Sequence, residues 1–131
     1  MISKNLPNGF ILCALSLLIL SACAETKEVE VTATAYNSVE VQTKKGDPAT
    51  AAWGDKLKPG MKTIAVSRDL LKQEGFEHNT KVKIEGLSGT YRVLDKMNRR
   101  WEKRIDIYMG NNVEKALDFG KQEVVISWKV D

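Results

Sequence analysis

Residues Lys27 to Tyr36 read KEVEVTATAY. In an extended chain Val29, Val31, Ala33 and Ala35 fall on one face and Glu28, Glu30, Thr32 and Thr34 on the other, the period of two that marks a half-buried strand. Five more stretches carry β-branched and aromatic residues at strand length: TIAVS (Thr63 to Ser67), KVKIE (Lys81 to Glu85), TYRVL (Thr90 to Leu94), IDIYM (Ile105 to Met109) and EVVISW (Glu123 to Trp128). Gly86-Leu87-Ser88-Gly89 is a tight connection, so the strands on either side of it should pair as an antiparallel hairpin. RDLLKQE, stopped by Gly75, and NVEKALDF, stopped by Gly120, read as two short helices. Many short strands and little helix predict a mainly β domain, a small closed barrel of six to seven strands that hides its sheet edges. The segment from Asn37 to Lys62 shows little periodicity, and a loop of that length in a compact domain is usually functional.

The chain before these strands has a different purpose. Lys4 precedes the apolar run FILCALSLLIL (Phe10 to Leu20), about half the ~20 residues a spanning helix needs, so residues 1–22 read as a secretory signal. Leu20-Ser21-Ala22-Cys23 resembles the lipobox of bacterial lipoproteins, in which the cysteine thiol is acylated and becomes the first residue of the mature protein. The expected organisation is a signal peptide over 1–22, lipidated Cys23 with a polar tether through 28, and one domain over 29–131. Such a protein sits in the bacterial cell envelope, on the periplasmic face or the outer membrane, held through Cys23. Cys13 leaves with the signal, so the domain has neither disulfide nor thiol chemistry. Removal of the signal costs only Lys4 among charged residues and takes the net charge from +3 to about +2, too balanced to imply a nucleic acid partner.

His78 is the one histidine, in the loop EHNT. Without cysteines or a second imidazole it cannot assemble a zinc site, so no metal or cofactor is expected and His78 reads as ordinary surface. Acid-base work then falls to carboxylates. Residues 95–106, DKMNRRWEKRID, place two aspartates eleven residues apart around five basic side chains and a tryptophan. Asp106 interrupts a strand, where aspartate is disfavoured, and the period of two turns it away from Ile105 and Ile107. Asp95 closes the preceding strand, and a chain turning back between the two would bring the carboxylates together. The alternative is a solvated face laced with ion pairs. Tyr36, Trp53 and Trp101, at a strand end or in loops, offer stacking platforms for sugar rings, or else partly buried packing. Arg99, Arg100 and Lys103 are placed to pair with ligand carboxylates.

Taken together, TATAY (Thr32 to Tyr36), WGDKLKPG (Trp53 to Gly60), IAVS (Ile64 to Ser67), the Lys81 to Gly89 hairpin, VLDK (Val93 to Lys96) and RIDIYMG (Arg104 to Gly110) resemble the three-aspartate domain of membrane-bound lytic transglycosylase A and small stationary-phase muralytic proteins. The resemblance covers nearly the whole mature chain and implies a double-psi β-barrel acting on peptidoglycan glycan strands. It implies Asp106 as catalytic acid/base and Asp95 as its partner carboxylate. The activity implied is a lytic transglycosylase-like cleavage that leaves 1,6-anhydro-muramic acid ends. The alternative is a non-catalytic peptidoglycan-binding barrel that uses Tyr36, Trp53 and the basic loop. Two positions depart from the family pattern: Ser67 stands where the first aspartate is usual, with Asp69 two residues on, and Met97 and Asn98 replace the glycines after the second aspartate.

The anchor is tested by one substitution. Cys23→Ser should release the protein from membranes or leave an unprocessed precursor, because a single thiol carries all the acyl chains. Membrane fractionation and mass spectrometry of the mature amino terminus read the outcome.

Overall fold

A computed structural model describes residues 25–38 and 50–130. The signal segment, Cys23 and residues 39–49 of the long loop lie outside the described residues. Six strands run in chain order β1 (Glu25–Tyr36), β2 (Thr63–Val66), β3 (Lys81–Ile84), β4 (Tyr91–Lys96), β5 (Arg104–Tyr108) and β6 (Gln122–Val130). They close into a barrel in the order β1, β5, β2, β4, β3, β6, so every strand has two neighbours and no edge is left open. Pairing is mixed: β1 with β5 and β2 with β4 are parallel, the others antiparallel. The fold is therefore the closed, mainly β double-psi barrel expected, with six strands among the described residues.

The alternation read from sequence is what fills it. Val31, Ala33, Ile64, Val66, Val82, Val93, Ile105, Ile107 and Ile126 are fully shielded and point inward from all six strands. Phe76 and Trp128 meet edge to face, ring centroids 4.7 Å apart, in the same core. Helix α1 (Arg68–Gln73) follows β2 directly and buries Leu70. Helix α2 (Val113–Phe119) starts where the Asn112 side chain accepts the Lys115 N–H at 2.9 Å and ends at Gly120, whose φ of 61° a side chain would resist.

Two expectations change. Glu25 to Glu28, expected as tether, belong to β1: Glu25 to Ala33 pair without interruption with Val130 to Gln122 of β6. All four side chains are exposed, so nothing apolar announces the strand, and backbone hydrogen bonds to β6 hold it. Nor does the chain after β4 bring β5 back beside it. β2 lies between β4 and β5 and pairs with both.

Because the interior is a continuous aliphatic layer, Ile126→Ala should cost about 2–5 kcal/mol, the range for deleting a large buried aliphatic side chain. Urea unfolding should show a lower midpoint with an unchanged slope.

Candidate functional site: two carboxylates around one tyrosine

β2 is only four residues long, and its third residue sets the geometry of the site. Ala65 is the ladder partner of Asp106 on β5 and of Asp95 on β4, while Asp106 is also the partner of Thr34 on β1. Thr34, Asp106, Ala65 and Asp95 thus form one row across four adjacent strands. Two inter-strand steps put the aspartate Cα atoms about 10 Å apart. Ile105 and Ile107 point into the barrel at 0% exposure, so the half-buried Asp106 between them points out, as its period predicts. The register of β2 against β4 slips between Ile64 and Ala65, opposite the step from Val93 to Asp95. That bulge leaves Leu94 as the extra residue, in a second apolar cluster with Tyr36, Ala51, Leu57 and Tyr108.

This second cluster carries a loop across the outer face. Ala51 accepts the Gly54 N–H in a tight turn, and the neighbouring Ala52 N–H donates to Asp95 Oδ1 at 2.9 Å. Asp95 Oδ1 also accepts the Lys96 N–H at 2.9 Å, so two backbone donors fix the carboxylate. On the other side, the Thr34 hydroxyl donates to Asp106 Oδ1 at 3.1 Å. Trp53 of the same loop has the Lys96 ammonium 4.6 Å from its ring centroid and the His78 ring at 5.4 Å. His78 Nε2 in turn contacts Asp55 Oδ2 at 2.5 Å. His78 is thus at the surface, as expected, yet engaged in holding the loop.

Tyr36 is the residue around which the carboxylates converge. Expected as a stacking platform at a strand end, it is 8% exposed, its ring tilted against Tyr108 at 5.5 Å. Its hydroxyl is buried and has no hydrogen-bond partner among the described residues. Burial first, then the negative charges of Asp95 and Asp106, then Tyr108, push its ionisation far above the usual tyrosine value. Both carboxylates therefore act on one phenol, which stays protonated as a buried donor. Tyr108, two register positions from Asp106 and on the same strand face, shares a hydrogen bond with Ser38.

The basic loop behaves differently from its sequence neighbours. Asn98 replaces the missing glycines by side-chain chemistry: its carbonyl groups accept Arg100 N–H and Trp101 N–H, both at 3.1 Å, closing a turn without positive φ at residues 97 or 98. The left-handed residue is Lys103, φ 43°, whose N–H donates to Asp69 Oδ2 at 2.8 Å. Partial burial works to raise the Asp69 carboxyl, but hydrogen bonds from Ser67, from Lys103 and from the amides of Asp69 and Leu70 outweigh it and hold it below the ordinary range. Ser67, fully buried, accepts the Arg104 N–H at 3.0 Å. Ser67 and Asp69 together thus tie the start of β5 to the start of α1.

The structure joins Asp95, Asp106 and Tyr36, and places Trp53 over Lys96. Trp101 is half-buried under the guanidinium groups of Arg104 at 3.9 Å and Arg100 at 4.7 Å, apart from that trio. Arg99 lines a cleft beside α1; neither Arg100 nor Lys103 does. Not visible as site residues in the sequence were Ala65, Tyr108 and Thr34. Thr34 could have been found, since it shares the outward face of β1 with Tyr36. Among the described residues no three histidine, cysteine or acidic side chains gather as metal ligands.

Comparison with known proteins supplies a fold and no family. No family model matches this sequence, and no curated protein does. Among solved structures the chain is similar to the apo expansin of Clavibacter michiganensis at 16% identity and a TM-score of 0.50. A mutant of that expansin in complex with cellohexaose is matched at 16% identity and a TM-score of 0.51. In both cases the match covers 80% of this chain and 51% of the other, so the chain spans about half the length of the proteins it resembles.

Tyr36→Phe isolates the orphan hydroxyl. Removing it should leave stability at pH 7 unchanged or slightly higher, since no hydrogen bond is lost and a buried polar atom is relieved of its desolvation. A raised folded pKa means that the stabilising share of Tyr36 is complete below the unfolded value of about 10 and is lost as pH climbs above it. Denaturation between pH 8 and 11.5 should therefore show a shallower alkaline decline in Tyr36→Phe than in the parent, by up to about 1.4 kcal/mol per pH unit.

Proposed function

We propose that this barrel binds a polysaccharide strand across the Thr34, Asp106, Ala65 and Asp95 row, and that the polysaccharide is the glycan of bacterial peptidoglycan, met in the cell envelope by a protein anchored through Cys23. The observation that carries the reading is the row that sets two half-buried carboxylates, Asp95 and Asp106, two strands apart on the outer face beside the buried Tyr36. Sugar hydroxyls are both donors and acceptors and suit that row: Asp95 and Asp106 accept, and the half-buried ring of Trp53, on the loop that reaches Asp95, supplies an apolar face. An expansin that shares this fold over about half its chain forms a complex with cellohexaose, which supports a polysaccharide as the ligand class. The resemblance of RIDIYMG and VLDK to the three-aspartate domain supports peptidoglycan in particular. Co-sedimentation of the protein with purified sacculi tests it; a protein left wholly in the supernatant would overturn it.

A second reading is favoured by the convergence of the two carboxylates on one phenol. In it Asp106 protonates the leaving glycosidic oxygen, and its carboxylate then takes the proton from the muramic acid C6 hydroxyl, which closes onto C1 as a 1,6-anhydro sugar. A single acid/base residue suffices for that route, whereas hydrolysis ordinarily needs two carboxylates. Asp95 is held in place beside Asp106 by the Ala52 and Lys96 amides.

The two readings part in one experiment. If Asp106 transfers the proton, Asp106→Asn lowers release of anhydro-muropeptides from sacculi by about 10²- to 10⁴-fold with little change in melting temperature or sedimentation. Asp95→Asn then lowers the release less than Asp106→Asn does, because Asp95 is not the group that transfers the proton. Binding alone gives no soluble muropeptides from the parent protein, and sedimentation then reads whether either carboxylate holds the strand.

A further inference from the structure

A cleft of about 730 Å³ opens between α1 and the loop that links β4 to β5, lined by Arg68, Lys72, Lys96, Arg99 and Trp101, with Asp69 and Glu102 at its walls. Four cations face two carboxylates. One of those carboxylates is already committed, since Asp69 Oδ2 accepts the Lys103 N–H. Among the described residues no carboxylate lies within ion-pair distance of Arg68, Lys72, Lys96 or Arg99, so the positive charge of the cleft is not neutralised internally.

Two of its members are held in place. Arg68 Nε donates to the Met97 carbonyl at 3.2 Å, which fixes the guanidinium stem against the loop. Trp101 is clamped by Arg104 and Arg100. Lys96, the next residue after Asp95 in β4, lines the cleft, so the cleft begins one residue from the carboxylate row. A ligand lying on the row would present its substituents to these cations within one residue of Asp95.

We infer that this cleft is a carboxylate-binding subsite that receives the acidic peptide branch of a glycan whose sugars lie across the Asp95 and Asp106 row. The inference rests on the glycan-binding reading above and adds the reason a peptide-bearing strand is preferred to a bare one. Arginine pairs with a planar carboxylate through two parallel hydrogen bonds, and lysine adds a mobile point charge, so a mixed set suits a flexible branch with more than one acidic group.

The test uses the full chain in neutral detergent and a defined probe, N-acetylglucosaminyl-N-acetylmuramyl pentapeptide, in two forms: the free acid, and the same compound with its peptide carboxylates amidated. The acid should bind about 10-fold tighter at low salt, with the difference shrinking as salt is raised. Lys72→Gln with Arg99→Gln alters two exposed side chains that make no hydrogen bond among the described residues, so the fold is preserved. The double variant should lose the preference for the acid and bind the amidated form as the parent does. Equal affinity of the parent for both forms overturns the subsite, as does an equal loss for both in the variant, while either result leaves the glycan reading standing. Binding of neither form overturns both readings. Displacement of the acid by inorganic phosphate at matching concentration would make this a phosphate site and overturn the peptide assignment.

Discussion

The site depends on the double pairing of β2. Thr63–Val66 is a strand of four buried residues, too short to bury much by itself, yet it is hydrogen-bonded in parallel to β4 on one side and antiparallel to β5 on the other. Through Ala65 it fixes the spacing of two aspartates that are eleven residues apart in sequence and never adjacent in the sheet. Alanine suits that place because a longer side chain, standing in the same row, would occupy the space between the carboxylates. The inward residues on either side, Ile64 and Val66, lock the strand into the aliphatic core, so packing inside the barrel holds the polar geometry outside it.

A second constraint works from without. Leu94, released by the bulge, joins Tyr36 and Tyr108 in a cluster that carries Ala51 and Leu57 over the outer face. The loop in turn delivers the Ala52 amide to Asp95. Apolar burial therefore orients a hydrogen-bond donor, and the orphan hydroxyl of Tyr36 is left with two negative neighbours. A buried donor without an acceptor among the described residues carries the cost of its desolvation.

How much of this was written in the sequence differs by element. Alternation located β1 and the outward turn of Asp106, and β-branched and aromatic content located the other five strands, because a half-buried strand must record its faces and its packing in side-chain type. The start of β1 escaped it: Glu25 to Glu28 are exposed on both faces and are held by backbone bonds to β6, which side-chain pattern does not encode. The meeting of Asp95 and Asp106 was foreseen by the wrong route. A turn between consecutive strands is a local feature, whereas the insertion of β2 between β4 and β5 is a crossover of distant segments. Tyr36 was left between a stacking platform and partly buried packing, because nothing in TATAY reports that a loop some fifteen residues later covers it. The glycine-free turn after Asp95 shows the reverse, a local substitution solved locally, by the side chain of Asn98.

The early start of β1 bears on height and orientation. Only Ala24 separates Cys23 from the first paired residue, and one residue spans at most about 3.6 Å. A chain fixed to a bilayer at Cys23 would therefore have almost no slack, and its barrel would stand on the membrane by the end that joins Glu25 to Val130. Thr34, beside Asp106, is nine residues further along the same strand, or about 30 Å of extended chain. The strand then acts as a fixed strut whose length sets how far from the lipid surface the carboxylate row can work.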